Sequence, residues 1–203
     1  MKNEISVRER GNAKTVAKIG VLGAIAAVLM LFEFPLWFAP AFYQLDFSEV
    51  PVLLGSFALG PAAGAAIELV KILINFVLKG TITGGVGELG NFAVGCAFVV
   101  PAGYIYKRNK SIKTAIIGLV VGTLSLAIIG IFLNYYLLIP VYAKVFGAPI
   151  QAFVDMGNAI NPAITDLKTL ILFAVVPFNL FKGIVISSIV VLIYKRISPI
   201  LHR

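Results

Sequence analysis

The stretch "EVPVLLGSFALGPAAGAAIELVKILINFVLK", Glu49 to Lys79, decides how often the chain crosses a membrane. Read as one broken helix, it is a single crossing. Read as two segments, about 49–60 and 62–79, it is a tight hairpin. The six residues "LGPAAG", Leu59 to Gly64, favour the hairpin, because Pro61 cannot continue the preceding helix and the flanking glycines permit a sharp turn.

Working outward, four further apolar runs have the roughly 20 residues needed to cross about 30 Å of hydrocarbon. With the hairpin they give six predicted spans, at about 16–34, 49–60, 62–79, 87–106, 114–139 and 170–195. The 203 residues are 60% hydrophobic and 13% charged, with a mean hydropathy of +0.99. Soluble domains use about 45–50% apolar and about 25% charged residues, so an all-α integral membrane protein with one membrane domain over 1–203 is expected.

Charge tests the hairpin independently. With six spans, both termini share a side with the loop "KRNKSIK", Lys107 to Lys113. Lys2, Arg8, Arg10, Lys14 and Lys18, then Lys107, Arg108, Lys110 and Lys113, then Lys195, Arg196 and Arg203, make twelve of the 17 basic residues. The positive-inside rule places that side in the cytoplasm. Five spans would split the terminal clusters. The formal charge of +8 therefore reads as membrane orientation rather than nucleic-acid binding, since the basic residues sit at the ends of apolar segments. A multi-pass protein of the cell membrane is the expectation, and the basic N-terminus reads as leading into a retained first helix, not a cleaved signal.

Several chemistries are removed early. Cys96 and His202 are the only residues of their kinds, which excludes an internal disulfide and leaves no zinc or Cys–His constellation. No phosphate-binding loop with its lysine is present, so the chain does not hydrolyse ATP. No nucleophile and base stand out, and an enzyme is not expected.

The outer segments fall at about 35–48, 80–86 and 140–169. The first, in "PLWFAPAFYQLDFSE" (Pro35 to Glu49), is aromatic and acidic, as suits an interfacial flap; the second, in "GTITGGVGE" (Gly80 to Glu88), is glycine-rich and lets backbone approach closely. Polar side chains inside spans cluster rather than scatter. Glu68, Lys71 and Asn75 share one helical face, Glu88 and Asn91 follow at the outer start of the fourth span, and Asn134 lies near the outer end of the fifth. Asn179 and Lys182 lie about 10–18 Å from the outer end of the sixth.

Intramembrane ionisable groups are functional candidates. Glu68 and Lys71 equally suit a structural ion pair, and Asn75 and Asn91 suit interhelical hydrogen bonds. Asn134, Asn179 and Lys182 under an aromatic, glycine-rich lid describe a pocket for a partly aromatic, hydroxylated molecule. Small-residue pairs form a separate feature. Gly20 with Ala24, Gly23 with Ala27, and Gly118 with Gly122 allow close helix approach, either within the bundle or to another membrane protein.

Three stretches carry a family resemblance: "LDFSEVPVLLGSFALGPAAGAAIELVKILINFVLKGTITGGVGELGNF" (Leu45 to Phe92), "LNYYLLIPVY" (Leu133 to Tyr142) and "PFNLFKGIV" (Pro177 to Val185). They resemble the riboflavin-binding S component of energy-coupling factor (ECF) vitamin transporters. The resemblance implies a six-helix bundle with cytoplasmic termini that captures riboflavin from outside. It also implies delivery with a transmembrane T component and two ABC-type ATPases. Riboflavin would be cargo, and no cofactor is expected.

By the same resemblance Tyr43, Gln44, Leu45 and Asp46 cap the ligand site. Thr81, Gly84, Glu88, Asn91, Asn134, Asn179 and Lys182 complete it, while Gly20, Gly23, Ala24 and Ala27 face the T component. Two alternatives stay open: a subunit for another flavin or vitamin, and a stand-alone proton-coupled transporter using Glu68 or Glu88.

Overall fold

The computed structural model describes the backbone of residues 2–201 and the side chains of residues 13–194 and of Arg196. Lys2, Arg8, Arg10, Lys195 and Arg203, which enter the charge count, and His202 have side chains outside that range. The first long helix, α1, is Lys2–Met30; a short antiparallel ladder of β1 (Phe34–Pro35) and β2 (Gln44–Leu45) then closes the segment before α2 (Glu49–Leu59) and α3 (Pro61–Lys79). There follow α4 (Val86–Arg108), α5 (Ile112–Leu133), α6 (Ile139–Val145), α7 (Ile150–Asn158), α8 (Leu167–Leu170) and α9 (Val176–Leu201).

Among the described residues five helices are long and apolar enough to cross a membrane: Ala13–Met30, Pro61–Lys79, Val86–Arg108, Ile112–Val145 and Leu167–Tyr194. The predicted second span is different. Helix α2 has 11 residues, about 16 Å at 1.5 Å each, which is half the hydrocarbon thickness. The first span also ends at Met30, short of the expected 34, because the chain turns into β1.

The turn between α2 and α3 is a sharp reversal. Gly60 takes φ 102°, a conformation costly for any residue with a Cβ, and Pro61 opens α3 at its first turn, where a missing N–H costs nothing. The two helices then run antiparallel: Gly64 abuts Ser56, Gly55 abuts Ile67, and Lys71 reaches Glu49. Direction keeps alternating. Gly23 lies on Val70 and Glu33 pairs with Lys79, so α1 runs parallel to α3; Gly95 against Glu68 with Gly103 against Pro61 sets α4 antiparallel to α3. Gly118 against Ala102 and Gly122 against Phe98 reverse α5, and Gly130 against Asn179 with Gly183 against Thr123 reverse α9. The 109–111 turn therefore lies at the same end of the bundle as the start of α1 and the end of α9.

At Gly118 an added Cβ would lie 2.7 Å from the Ala102 carbonyl oxygen, and at Gly122 one would lie 2.5 Å from that of Phe98. The small-residue pair of α5 thus serves packing inside the bundle. On α1 the two pairs separate: Gly23 and Ala27 are buried, with Gly23 on Val70, whereas Gly20 and Ala24 are exposed beside Val16, Val21 and Val28.

Helix α5 continues through a π-helical turn, Asn134–Leu138, into α6, and α8 continues through another, Ile171–Val175, into α9. Each turn ends two residues ahead of a proline, Pro140 and Pro177. Because proline has no N–H for the carbonyl four residues back, Tyr136 and Phe173 lose their usual α partners, and both sit mid-turn. The predicted outer segment 140–169 holds α7 and the start of α8, packed by Phe153, Val154, Ile164 and Leu170 into a satellite core.

Candidate ligand-binding site

At the end of the bundle remote from the start of α1 and the end of α9, a cavity of about 200 Å³ is lined by five parts of the chain. Glu33 comes from just beyond α1. Phe42, Tyr43, Gln44 and Asp46 come from the β1–β2 flap, and Gly87, Gly90, Asn91 and Val94 from the first turns of α4. The α5–α6 junction supplies Asn134, Leu138 and Tyr142, and α9 supplies Phe178, Asn179 and Lys182.

Each polar side chain has a local reason for its position. Asn134 opens the π turn ahead of Pro140; its Nδ2 donates to the Gly130 carbonyl at 2.9 Å, and its Oδ1 accepts from the Tyr43 hydroxyl at 2.8 Å. Asn179 approaches α5 at Gly130, where an added Cβ would lie 2.3 Å from Asn179 Nδ2. Lys182 Nζ donates to Asp46 Oδ2 at 3.0 Å, and Asp46 Oδ1 also accepts the Ser48 N–H at 2.7 Å. Burial opposes ionisation of Asp46, but Lys182, Lys71 and Ser48 outweigh it and hold the carboxyl well below the usual range. Burial pushes the Tyr43 hydroxyl up, so it stays a donor.

At the rim, Glu33 forms an ion pair with Lys79, and Gln44, with its amide nitrogen turned toward Glu33, donates to Oε1 at 2.9 Å. Aromatic rings close the flap: Tyr43 packs on Phe178 with centroids 5.5 Å apart, and Phe38 on Phe181 at 5.5 Å. The cavity thus joins four side-chain amides, one compensated lysine–aspartate pair and several aromatic faces. Among the described residues no group of three or more His, Cys, Asp or Glu side chains is placed to hold a metal.

Seven predicted site residues meet here: Tyr43, Gln44, Asp46, Asn91, Asn134, Asn179 and Lys182. Four stand apart from the lining. Leu45 is 3% exposed and packs with Leu36, Ala39 and Phe178 beneath the flap. Thr81 donates to Glu88 Oε2 at 3.1 Å, Thr83 reaches the same oxygen at 3.3 Å, and Gly84 turns the loop at φ 63°. That group organises the entrance to α4. Sequence reasoning missed Glu33, Phe42, Gly87, Gly90, Val94, Leu138, Tyr142 and Phe178. Glu33 lay within the last turn of a predicted span, and Tyr142, Gly87, Gly90, Leu138 and Phe178 lie inside the stretches that carried the resemblance.

With this geometry the chain can be compared with known proteins. Residues 14–194 match the family model for the substrate-specific component of ECF transporters. The chain belongs to that family. As an ECF substrate-specific component it is a multi-pass membrane transport protein and not an enzyme. It is 38% identical over 190 residues to riboflavin transporter RibU of Staphylococcus aureus (strain TCH60), covering 94% of this chain and 93% of that one. It is 33% identical over 189 residues to riboflavin transporter FmnP of Bacillus subtilis (strain 168), covering 92% and 93%. A solved structure described as the S component of a bacterial ECF transporter aligns with a TM-score of 0.72 at 36% identity, over 95% of this chain and 99% of that one.

Proposed function

We propose that this ECF substrate-specific component binds riboflavin in the cavity beneath the β1–β2 flap. The observation that carries the reading is the convergence of Asn91, Asn134 and Asn179 with aromatic faces and the Asp46–Lys182 pair. Amides offer donors and acceptors side by side, which suits the heterocyclic edge of a flavin; Asp46, Lys182, Gln44 and Glu33 suit hydroxyl groups. The names of the relatives support the choice of ligand.

In this reading all 203 residues form one membrane domain with both termini cytoplasmic. The flap faces outside, and α2 with the extended segment before it completes a sixth crossing. The loaded subunit delivers riboflavin with a T component and two ATPases, and the exposed Gly20–Ala24 side of α1 meets the T component. Gly23, which packs on Val70 of α3, and the buried Ala27 hold α1 in the bundle.

Titration of purified protein with riboflavin tests the reading. Flavin fluorescence should be quenched stoichiometrically at sub-micromolar protein. Unquenched flavin with folded protein refutes the assignment of ligand.

A further inference from the structure

Next to the cavity, α2 and α3 enclose a second charged group whose residues do not line it. Glu49, Glu68 and Lys71 are 2%, 0% and 0% exposed. Lys71 Nζ donates to Glu49 Oε1 at 2.8 Å and is also paired with Glu68 Oε1. Two carboxyl groups thus share one ammonium. Lys182, the neighbouring cation, is engaged by Asp46, so three buried acids face two buried bases.

Hydrogen bonding is incomplete in the same place. Glu68 Oε2 and Glu49 Oε2 have no hydrogen-bond partner, and Glu68 Oε1 meets only the ammonium it shares with Glu49. An ionised carboxylate has several acceptor sites to satisfy, whereas a protonated acid has fewer and gains a donor. The carboxyls are close together: a Cβ built on Gly95 of α4 would lie 2.3 Å from Glu68 Oε1 and 3.2 Å from Glu49 Oε1.

The environments of the two acids differ. Glu49 lies in the first turn of α2, where the helix dipole favours negative charge, and it holds the well-formed hydrogen bond from Lys71. Glu68 lies within α3, away from either end, pressed against the glycine backbone of α4. We propose that Glu68 carries a proton at neutral pH, making the Glu49–Lys71–Glu68 triad electrically neutral and locking α2 to α3 beside α4. The titratable groups around it are Asp46 before α2, Glu49 on α2, Lys71 on α3, Cys96 on α4 and Lys182 on α9. The proton is a fixed part of the fold, independent of which ligand fills the cavity.

Infrared spectroscopy of the purified full-length protein reads this directly. At pH 7 the wild type should show the carbonyl stretch of one protonated carboxylic acid per chain, shifted in D2O. Glu68→Gln should abolish that band and leave riboflavin affinity within about twofold. Glu49→Gln should abolish it too, because Glu68 then faces Lys71 alone and ionises. No such band in the wild type, or a band surviving in Glu68→Gln, overturns the proposal. If Glu68→Gln does not fold, the wild-type titration decides. The band should persist from about pH 5 to 7, whereas an ordinary carboxyl, with its pKa near 4, is ionised across that range.

Discussion

Lys182 of α9 and Asp46 of the flap, 136 positions apart, meet with Nζ 3.0 Å from Oδ2, in a site where their side chains are 11% and 4% exposed. The lysine that interrupts the last span is therefore compensated within the protein. The same contact ties the flap to the wall of the cavity.

Breaking that tie from one side should be costly. Lys182→Ala or Asp46→Ala leaves a buried charge alone, a loss of about 3–5 kcal/mol. Both single variants should melt well below wild type in detergent and bind riboflavin at least tenfold more weakly. Asp46→Asn combined with Lys182→Met should recover stability but not affinity. Wild-type melting in both single variants would show that the pair holds nothing.

The pair should also be resistant to acid. Because the folded state holds Asp46 below its unfolded value of about 3.9, its stabilisation is present above that value and disappears as pH falls through the folded one. Riboflavin affinity should stay flat from about pH 8 to 5. A loss with a midpoint between pH 5 and 7 would assign the titration to another group.

Gly130 separates binding from folding. A methyl group there collides with the tip of the Asn179 side chain, which can swing away, so Gly130→Ala should fold normally. Affinity should nevertheless fall by about 1–3 kcal/mol, as it should for Asn179→Ala. Calorimetric titration of both variants checks the match; unchanged affinity in the two would remove Asn179 from the site.

The two faces of α1 should answer differently to bulk. Ala24 is exposed and Ala27 has no exposed surface. Ala24→Trp should retain riboflavin binding and lose uptake in cells that contain the energy-coupling subunits. Ala27→Trp should destabilise the protein itself, by about 1–3 kcal/mol or more for overpacking. Full uptake by Ala24→Trp would place the partner elsewhere.

Much of the architecture is legible along the chain because hydropathy and proline or glycine punctuation act locally. The reversal at Gly60–Pro61 and the shared face of Glu68, Lys71 and Asn75 follow from such signals, and all three side chains are indeed buried. Glu49 was less legible. Sitting where the aromatic flap meets a helix, it reads as an interfacial acid, yet it is the partner of Lys71. Glu33, at the edge of a predicted span, reads as a boundary residue and lines the cavity.

The sequence by itself determined membrane residence, the order of the helices and which side chains had to find partners, since each depends on near neighbours and on the 3.6-residue period. Only the tertiary structure decided the pairings: Lys182 with Asp46, Lys71 with Glu49, Asn134 with Tyr43. It also turned Gly23 inward and Gly20 outward. Helical periodicity defines a face, but the rotation of that face toward a neighbour is set by the packing of every helix at once.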